Sequence, residues 1–148
     1  MNEKILNFHR PKTETEIRSE RLGNAMEIIK SKLSDEEMEK LKAIVLYGST
    51  ARGEAKESSD LDIHIDLEPY DQEAFNKIVE ILQGQFVGID FSFSSKNIIE
   101  DGRMARLITA QKNPDKPAAW KFIYCRSEEE KSELDRILFE KQINKKSH

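Results

Sequence analysis

The pattern of hydrophobic and polar positions predicts a chain in which helices alternate with strands. Residues 17–33 carry apolar side chains near helical spacing, and a capping-box pair, Thr13 and Glu16, precedes them. The β-branched run at residues 43–47 predicts a buried strand, whereas residues 61–67 alternate between apolar and polar side chains, as half-buried strands do. The predicted fold therefore begins with a helix, a buried strand and a strand with one polar face.

The rest of the chain continues this pattern. The further predicted elements are a short helix after a Ser34–Glu37 capping box, a helix from Asp71 to about Gly84, a strand over residues 85–93, a short helix from Ser94 that Gly102 ends, a strand over residues 120–125 and a last helix capped by Ser127 and Glu130. We find no internal repeat and no low-complexity linker. We therefore expect a single α/β domain over residues 1–148, with its core at about residues 34–110.

A glycine–serine step, Gly48 and Ser49, follows the first predicted strand directly. Because glycine has no Cβ, the backbone can turn sharply there and a phosphate can approach the main chain. After ten intervening residues, Asp60 and Asp62 lead into the second predicted strand. The alternation of that strand places the two carboxylates on the same face.

Two carboxylates on one face of a strand repel each other, and a chain usually tolerates the pair when a cation binds between them. Oxygen ligands suit Mg²⁺, which takes one or two carboxylates and completes its shell with water and substrate phosphates. A turn that phosphates can approach and a hard-metal site together predict a nucleoside triphosphate site. The alternative is a Gly-Ser turn followed by a strand with a charged surface, which leaves the two adjacent aspartates without a reason.

The spacing of these residues resembles the signature of the polymerase-β-type nucleotidyltransferase superfamily, and the short chain is similar to its minimal nucleotidyltransferase branch. The residues that carry the resemblance are Gly48, Ser49, Arg52, Gly53, Ser59, Asp60 and Asp62. The resemblance covers roughly residues 43–102. It implies an α/β nucleotidyltransferase fold with a small, mixed, twisted sheet, helices packed mainly on one face, and three acidic side chains at one edge of the open face.

The resemblance also implies a set of catalytic residues. Asp60 and Asp62 would each ligate two Mg²⁺ ions, and Asp90 would complete the acceptor-side metal and take the acceptor proton. Asp90 matches the third carboxylate by its order and its apolar context, although no tight local motif fixes it; a solvent-facing strand aspartate is the alternative. Gly48 and Ser49 would contact the β- and γ-phosphates of ATP, as they do in the family.

Two other polar residues near the motif have competing interpretations. Arg52 is a candidate phosphate contact, and the alternative is a salt bridge to Glu54 or Glu57 in the same acidic loop. His64 continues the aspartate face, together with Asp66, and could be a further metal ligand. Imidazole is a poor match for Mg²⁺, so we interpret His64 as a polar residue farther along the strand.

The implied reaction is the transfer of a nucleoside monophosphate, AMP from ATP, to an acceptor hydroxyl with release of pyrophosphate. The acceptor stays open between three hypotheses. In the first, the chain is an antitoxin that adenylylates a partner HEPN ribonuclease, which suits the compact segment after Asp90. The second is a small-molecule transferase similar to the aminoglycoside-modifying branch, which usually has an additional helical domain. The third is a non-catalytic nucleotide-binding module, against which the complete motif argues.

The composition of the chain narrows its candidate binding partners and its expected cellular compartment. The 148 residues include 24 basic and 28 acidic side chains, and the net charge of −4 gives no general attraction to nucleic acid or anionic membranes. A nucleic-acid acceptor that meets a local Lys/Arg patch stays an alternative. The single cysteine, Cys125, cannot form an internal disulfide, which favours a reducing cytoplasm. No secretory signal and no apolar run of membrane-spanning length is evident. An N-terminal arm at residues 1–12 and the last helix could serve an oligomer or a partner.

Overall fold

The chain folds around one four-stranded mixed sheet, seen in a computed structural model that describes residues 11–110 and 118–146. Within them the elements are α1 (Glu14–Lys32), α2 (Asp35–Lys40), β1 (Leu41–Tyr47), α3 (Gly48–Ala51), β2 (Leu61–Leu67), α4 (Gln72–Gln85), β3 (Phe91–Ser94), α5 (Gly102–Ile108), β4 (Lys121–Cys125) and α6 (Glu128–Lys146). The strand order is β3-β2-β1-β4; β2 and β3 run parallel, and β1 runs antiparallel to both neighbours. The predicted α/β class with a small mixed sheet is confirmed.

The helix starts follow the local sequence signals. The Thr13 hydroxyl accepts a hydrogen bond from the Glu16 amide, and the Glu16 carboxylate accepts one from the Thr13 amide. Ser34 and Glu37 form the second predicted capping box in the same way. The Asp71 carboxylate accepts a hydrogen bond from the third residue of α4, Ala74. These caps satisfy amides that would otherwise lack partners, so the predicted starts are confirmed.

The sheet separates two hydrophobic cores. On one face, α1 and α4 pack against Ile44 and Leu46 of β1 and the apolar residues of β2. On the other face, residues of α5 and α6 pack against Ala43, Val45 and Tyr47 of β1. Helices therefore cover both faces, whereas we expected them mainly on one. The physical reason is visible in β1, which is buried at every position and so needs cover on both sides.

The third strand begins later than predicted. It starts at Phe91, because residues 86–88 form a turn after α4 in which Gly88 has a φ of +83°. Phe86 is the C-cap of α4 and is buried among the side chains of the first core. A short apolar run fits a buried strand or a buried helix end equally well, so the periodicity could not separate the two.

The helix after β3 is also displaced from its prediction. Gly102 begins α5 rather than ending a helix, and the Asp101 carboxylate caps it by accepting a hydrogen bond from the Arg103 amide. Residues 98–100 form a turn instead of the predicted helix. Residues 1–10 of the predicted N-terminal arm lie outside the described residues. Among the helices of the described ranges, none combines the length and apolar character that a bilayer crossing needs.

Candidate active site

A cavity of about 560 Å³ opens at the end of the sheet where β1 finishes and β2 begins. The predicted site residues that line it are Gly48, Ser49, Arg52, Asp60 and Asp62. The two strands are antiparallel neighbours, so the turn after β1 and the entry to β2 meet at the same edge of the sheet. The structure therefore brings the glycine turn and the two carboxylates together.

Gly48 and Asp62 lie in direct contact. Gly48 has a φ of +74°, and a Cβ built on it would be 2.0 Å from the Oδ2 atom of Asp62. The cross-strand pairing of Tyr47 with Asp62 produces this approach, because it places the carboxylate against the turn. Glycine is needed at this position for its backbone conformation and for the room that Asp62 occupies.

Asp90 is not among the residues that line the cavity. It is exposed, it precedes β3, and its carbonyl accepts a hydrogen bond from the Leu61 amide at 2.9 Å. The parallel register places Ser92 opposite Asp62, and Ser92 lines the cavity. Across residues 11–110 and 118–146, no three His, Cys, Asp or Glu side chains form a group that could hold a metal. The role of Asp90 as third carboxylate stays a prediction.

Arg52 forms the salt bridge that was its alternative interpretation. Its Nε donates a hydrogen bond to the Oε1 of Glu54 at 2.7 Å, and both residues line the cavity. The guanidinium is thus fixed at the wall of the cavity by an acidic neighbour. A phosphate contact from Arg52 stays a prediction.

The polar row of β2 continues into the protein interior. His64 and Asp66 are fully buried, and the Nδ1 of His64 is 2.9 Å from the Ser94 hydroxyl oxygen. Among the described residues, the His64 Nε2 and both Asp66 carboxylate oxygens have no hydrogen-bond partner. Burial lowers the pKa of His64 to about 4; it raises the pKa of Asp66 to about 6, which the charge of Lys42 opposes. His64 is therefore a buried neutral side chain farther along the strand, and it does not line the cavity.

Tyr47 is a site residue that the sequence reasoning did not single out. It is buried, lines the cavity and pairs across the strands with Asp62. Burial raises the pKa of the Tyr47 phenol, a hydrogen bond with Ser94 lowers it, and the nearby Asp62 carboxylate raises it further. Ser94 thus connects the phenol at the cavity wall with buried His64. The only available signal was its position as the last strand residue before the glycine turn.

Arg18 of α1 was missed as well. It is fully buried, and its guanidinium reaches the loop between α3 and β2 that lines the cavity. A signal was present in the sequence, because Arg18 precedes Leu22 by four residues and so stands in line with the buried stripe of its helix. A charged residue in such a stripe needs polar partners, and periodicity cannot identify them.

Residues 26–145 of the chain match the protein family described as nucleotidyltransferase domain. No curated protein matches the chain. Among solved structures, a mutant of the toxin–antitoxin pair MntA-HpeT has a TM-score of 0.51 at 13% identity, covering 84% of this chain and 90% of that chain. At this identity the likeness concerns the fold.

Two further solved structures are similar at lower TM-scores. One is a toxin–antitoxin with AMP-PNP, at a TM-score of 0.49 and 14% identity, covering 84% of this chain and 90% of that chain. The other is a tri-AMPylated Shewanella oneidensis HEPN toxin in complex with an MNT antitoxin, at a TM-score of 0.45 and 15% identity. It covers 88% of this chain and 87% of that chain.

Proposed function

The chain belongs to the nucleotidyltransferase domain family, and we propose that it moves AMP from ATP to a hydroxyl group of a partner protein and releases pyrophosphate. One observation carries the proposal: the glycine turn at Gly48 and the carboxylates of Asp60 and Asp62 line the same cavity. A triphosphate needs a backbone that it can approach closely and a cation held beside it; the glycine turn supports the first, and two carboxylates that could hold a cation support the second.

The donor set of the cavity fits Mg²⁺. Asp60 and Asp62 supply carboxylate oxygens, and a volume of about 560 Å³ leaves room for water and phosphates to complete a coordination shell. Bound Mg²⁺ would lower the pKa of the acceptor hydroxyl and neutralise charge on the departing pyrophosphate. We propose that Asp60 and Asp62 hold two ions, with Asp90 as the third carboxylate; in support, Asp60 and Asp90 directly precede Leu61 and Phe91, which pair across β2 and β3.

The chain's own groups then bind and orient the reactants. The Gly48 amide and the Ser49 hydroxyl contact the β- and γ-phosphates, and Arg52 adds a positive charge at the same wall. The acceptor oxygen attacks the α-phosphorus, and the bond from that phosphorus to the bridging oxygen of pyrophosphate breaks. Asp90 takes the proton of the acceptor hydroxyl.

The proposed acceptor is a hydroxyl of a HEPN-type toxin protein, which would make the chain an antitoxin. The MntA-HpeT pair, whose fold is similar, is a toxin–antitoxin. The described residues after α5 form only β4 and α6, and α6 packs back onto the sheet, so this part is compact. A cytoplasmic location stays a prediction from the single cysteine.

The test is incubation of the protein with α-labelled ATP, Mg²⁺ and lysate of the source cells, resolved by denaturing gel electrophoresis. We expect label on a discrete protein band, lost with Asp62→Asn and retained with Asp66→Asn. Label that enters only small molecules would replace the protein acceptor with a small-molecule acceptor. Bound ATP without any transferred label would contradict catalysis and support a nucleotide-binding module.

A further inference from the structure

Arg18 lies outside the cavity but contacts both ends of the loop that lines it. Its side chain is fully buried, and its Nη1 donates a hydrogen bond to the Thr50 hydroxyl at 3.1 Å. Its Nη2 donates to the carbonyl oxygen of Ser59 at 2.8 Å and to that of Lys56 at 3.1 Å. A longer contact of 3.4 Å joins the same nitrogen to the Glu57 carbonyl. One guanidinium therefore joins the start and the end of the loop.

The two ends that Arg18 joins are the two halves of the proposed active site. Thr50 follows Ser49, the proposed phosphate contact, and Ser59 precedes Asp60, the proposed metal ligand. We propose that Arg18 is a positioning residue for nucleotide binding, which sets the distance between the phosphate-contacting turn and the carboxylates. This inference rests on the proposed function of the same cavity.

The loop is also tied to α3 at its start, where the Gly53 amide donates to the Thr50 carbonyl at 3.2 Å and the Glu54 amide donates to the Ser49 carbonyl at 2.9 Å. Residues 52–60 form neither helix nor strand, and they include one glycine, Gly53, with a φ of +76°. Within the loop, the Lys56 amide donates to the Ser59 hydroxyl at 2.9 Å and the Ser59 amide donates to the Lys56 carbonyl at 3.0 Å. These two bonds close a local turn, but neither connects it to a helix of the core. Arg18 makes that connection to α1.

The chemistry of this contact requires a guanidinium. A buried cation is costly unless its N–H groups find acceptors, and Glu14 supplies a carboxylate 2.8 Å from the Nε of Arg18. The planar fork of arginine presents several donors at fixed angles, and these reach a hydroxyl and two backbone carbonyls in different directions. Lysine has one ammonium group and cannot contact all of them. The Arg18→Lys substitution therefore keeps the charge and loses the geometry.

Loss of Arg18 has a defined consequence for nucleotide binding. A loop that is only partly in the binding conformation raises the apparent Kd by the inverse of the populated fraction, so a loop ordered about a tenth of the time weakens binding about tenfold. Saturating nucleotide restores the ordered loop. We therefore expect the KM for ATP to rise about tenfold while kcat changes less than about threefold.

The experiment compares Arg18→Gln and Arg18→Lys with Arg21→Gln, which removes an exposed arginine from the same helix. ATP binding with Mg²⁺ is measured by titration calorimetry, and amide hydrogen exchange is measured over residues 49–60 and over α1. Both Arg18 variants should bind ATP about tenfold more weakly, with faster exchange in residues 49–60 and unchanged exchange in α1. The Arg21→Gln variant should match the unmodified protein.

Three outcomes would overturn the inference, and one of them separates it from the proposed function. Unchanged ATP affinity in folded Arg18 variants would refute positioning and leave the proposed function intact. Failure of both variants to fold would assign Arg18 to the stability of the whole domain rather than to the loop. No ATP binding by the unmodified protein would refute the proposed function, and the positioning role would fall with it.

Discussion

Asp62 and Asp66 stand on the same face of the same strand, four residues apart, and their surroundings are opposite. Asp62 faces a cavity and lies against the Gly48 turn. Asp66 is fully buried, pairs across the strands with Ala43 of the second core, and has two carboxylate oxygens without hydrogen-bond partners among the described residues. The comparison shows that strand alternation assigns a side chain to a face but does not tell what covers that face.

Whether helices pack over that part of the face determines what each aspartate can do. Residues of α5 and α6 form the second core over the middle of this face, while the end near Gly48 stays accessible. In the proposed function, a carboxylate in the accessible part binds a cation, and the cation in turn holds a triphosphate. A carboxylate under the helices has neither solvent nor a paired donor, and burial raises its pKa. The same residue type therefore contributes chemistry at one position and an energetic cost at the other.

The largest expected effect comes from making the same substitution at both positions. Asp62→Asn should lower the rate of pyrophosphate release at least about a hundredfold, because it removes a charged metal ligand. Asp66→Asn should leave the rate within about twofold, because Asp66 does not reach the cavity. Pyrophosphate release at saturating ATP and Mg²⁺, in the presence of the acceptor protein found by labelling, measures both. Equal losses of rate in the two variants would mean that the accessible and the buried aspartate support the reaction to the same extent.

The next effect isolates the contact between Gly48 and Asp62. Gly48→Ala should lower activity about tenfold or more, since its Cβ would meet the Asp62 carboxylate at 2.0 Å. Gly53→Ala is the matched control, with a similar φ of +76° but nothing within 4 Å of its Cβ. Both should lose roughly 1 kcal/mol of unfolding free energy through backbone strain. If Gly53→Ala also loses activity tenfold, strain in the loop, and not the Asp62 contact, explains the effect.

The third expected effect is on the pH dependence of stability, which separates the contributions of buried Asp66 and buried His64. The pKa of Asp66 is raised to about 6, so its contribution to stability is complete below 3.8 and is lost as the pH rises through 6. The pKa of His64 is lowered to about 4, so its contribution is complete above 6.5 and is lost as the pH falls through 4. Between pH 4 and 6 the two contributions therefore oppose each other in the unmodified protein.

Single substitutions should reveal how each of the two groups changes the stability with pH. Relative to the unmodified protein, Asp66→Asn should gain stability as the pH rises from 4 to 6, and His64→Gln should lose it. Each slope should approach about 1.4 kcal/mol per pH unit at most. Urea denaturation at intervals of half a pH unit measures both. Parallel stability curves for all three proteins would show that neither buried group titrates between these limits.

The smallest expected effect concerns Ser94, which joins Tyr47 and His64. Ser94→Ala leaves the His64 Nδ1 without its hydroxyl partner, so the unfolding free energy should fall by about 1 kcal/mol. Ser92→Ala, on the same face of β3 but exposed, should change it by less than about 0.5 kcal/mol. Chemical denaturation measures both variants. A larger loss for Ser92→Ala would contradict the role assigned to Ser94 as the hydrogen-bond partner of buried His64.

The sequence predicted those parts of the fold that depend on neighbouring residues. The Thr13–Glu16 and Ser34–Glu37 boxes form as expected because both partners lie within one helical turn. The bounds of β2 follow from its alternation. The motif predicted one site for the Gly48 turn and Asp62, whereas their direct contact comes from the antiparallel pairing of β1 with β2, which the sequence did not predict.

The features that the sequence did not predict depend on distant residues. The cover over Asp66 comes from α5 and α6, and the partners of Arg18 in α3 and in the loop after it lie more than 30 residues away along the chain. The start of β3 was placed too early because the apolar Phe86 closes α4 instead of entering a strand. Burial and long-range hydrogen bonds are properties of the assembled fold, so local periodicity does not predict them directly.

The most direct test of the account is the Mg²⁺ dependence of ATP binding in the unmodified protein, Asp62→Asn and Asp66→Asn, measured by titration calorimetry with and without Mg²⁺. The account predicts that Mg²⁺ strengthens ATP binding in the unmodified protein and in Asp66→Asn, and that Asp62→Asn loses this dependence. Retained Mg²⁺ dependence in Asp62→Asn, or its loss in Asp66→Asn alone, would contradict a triphosphate and metal site at the accessible end of β2.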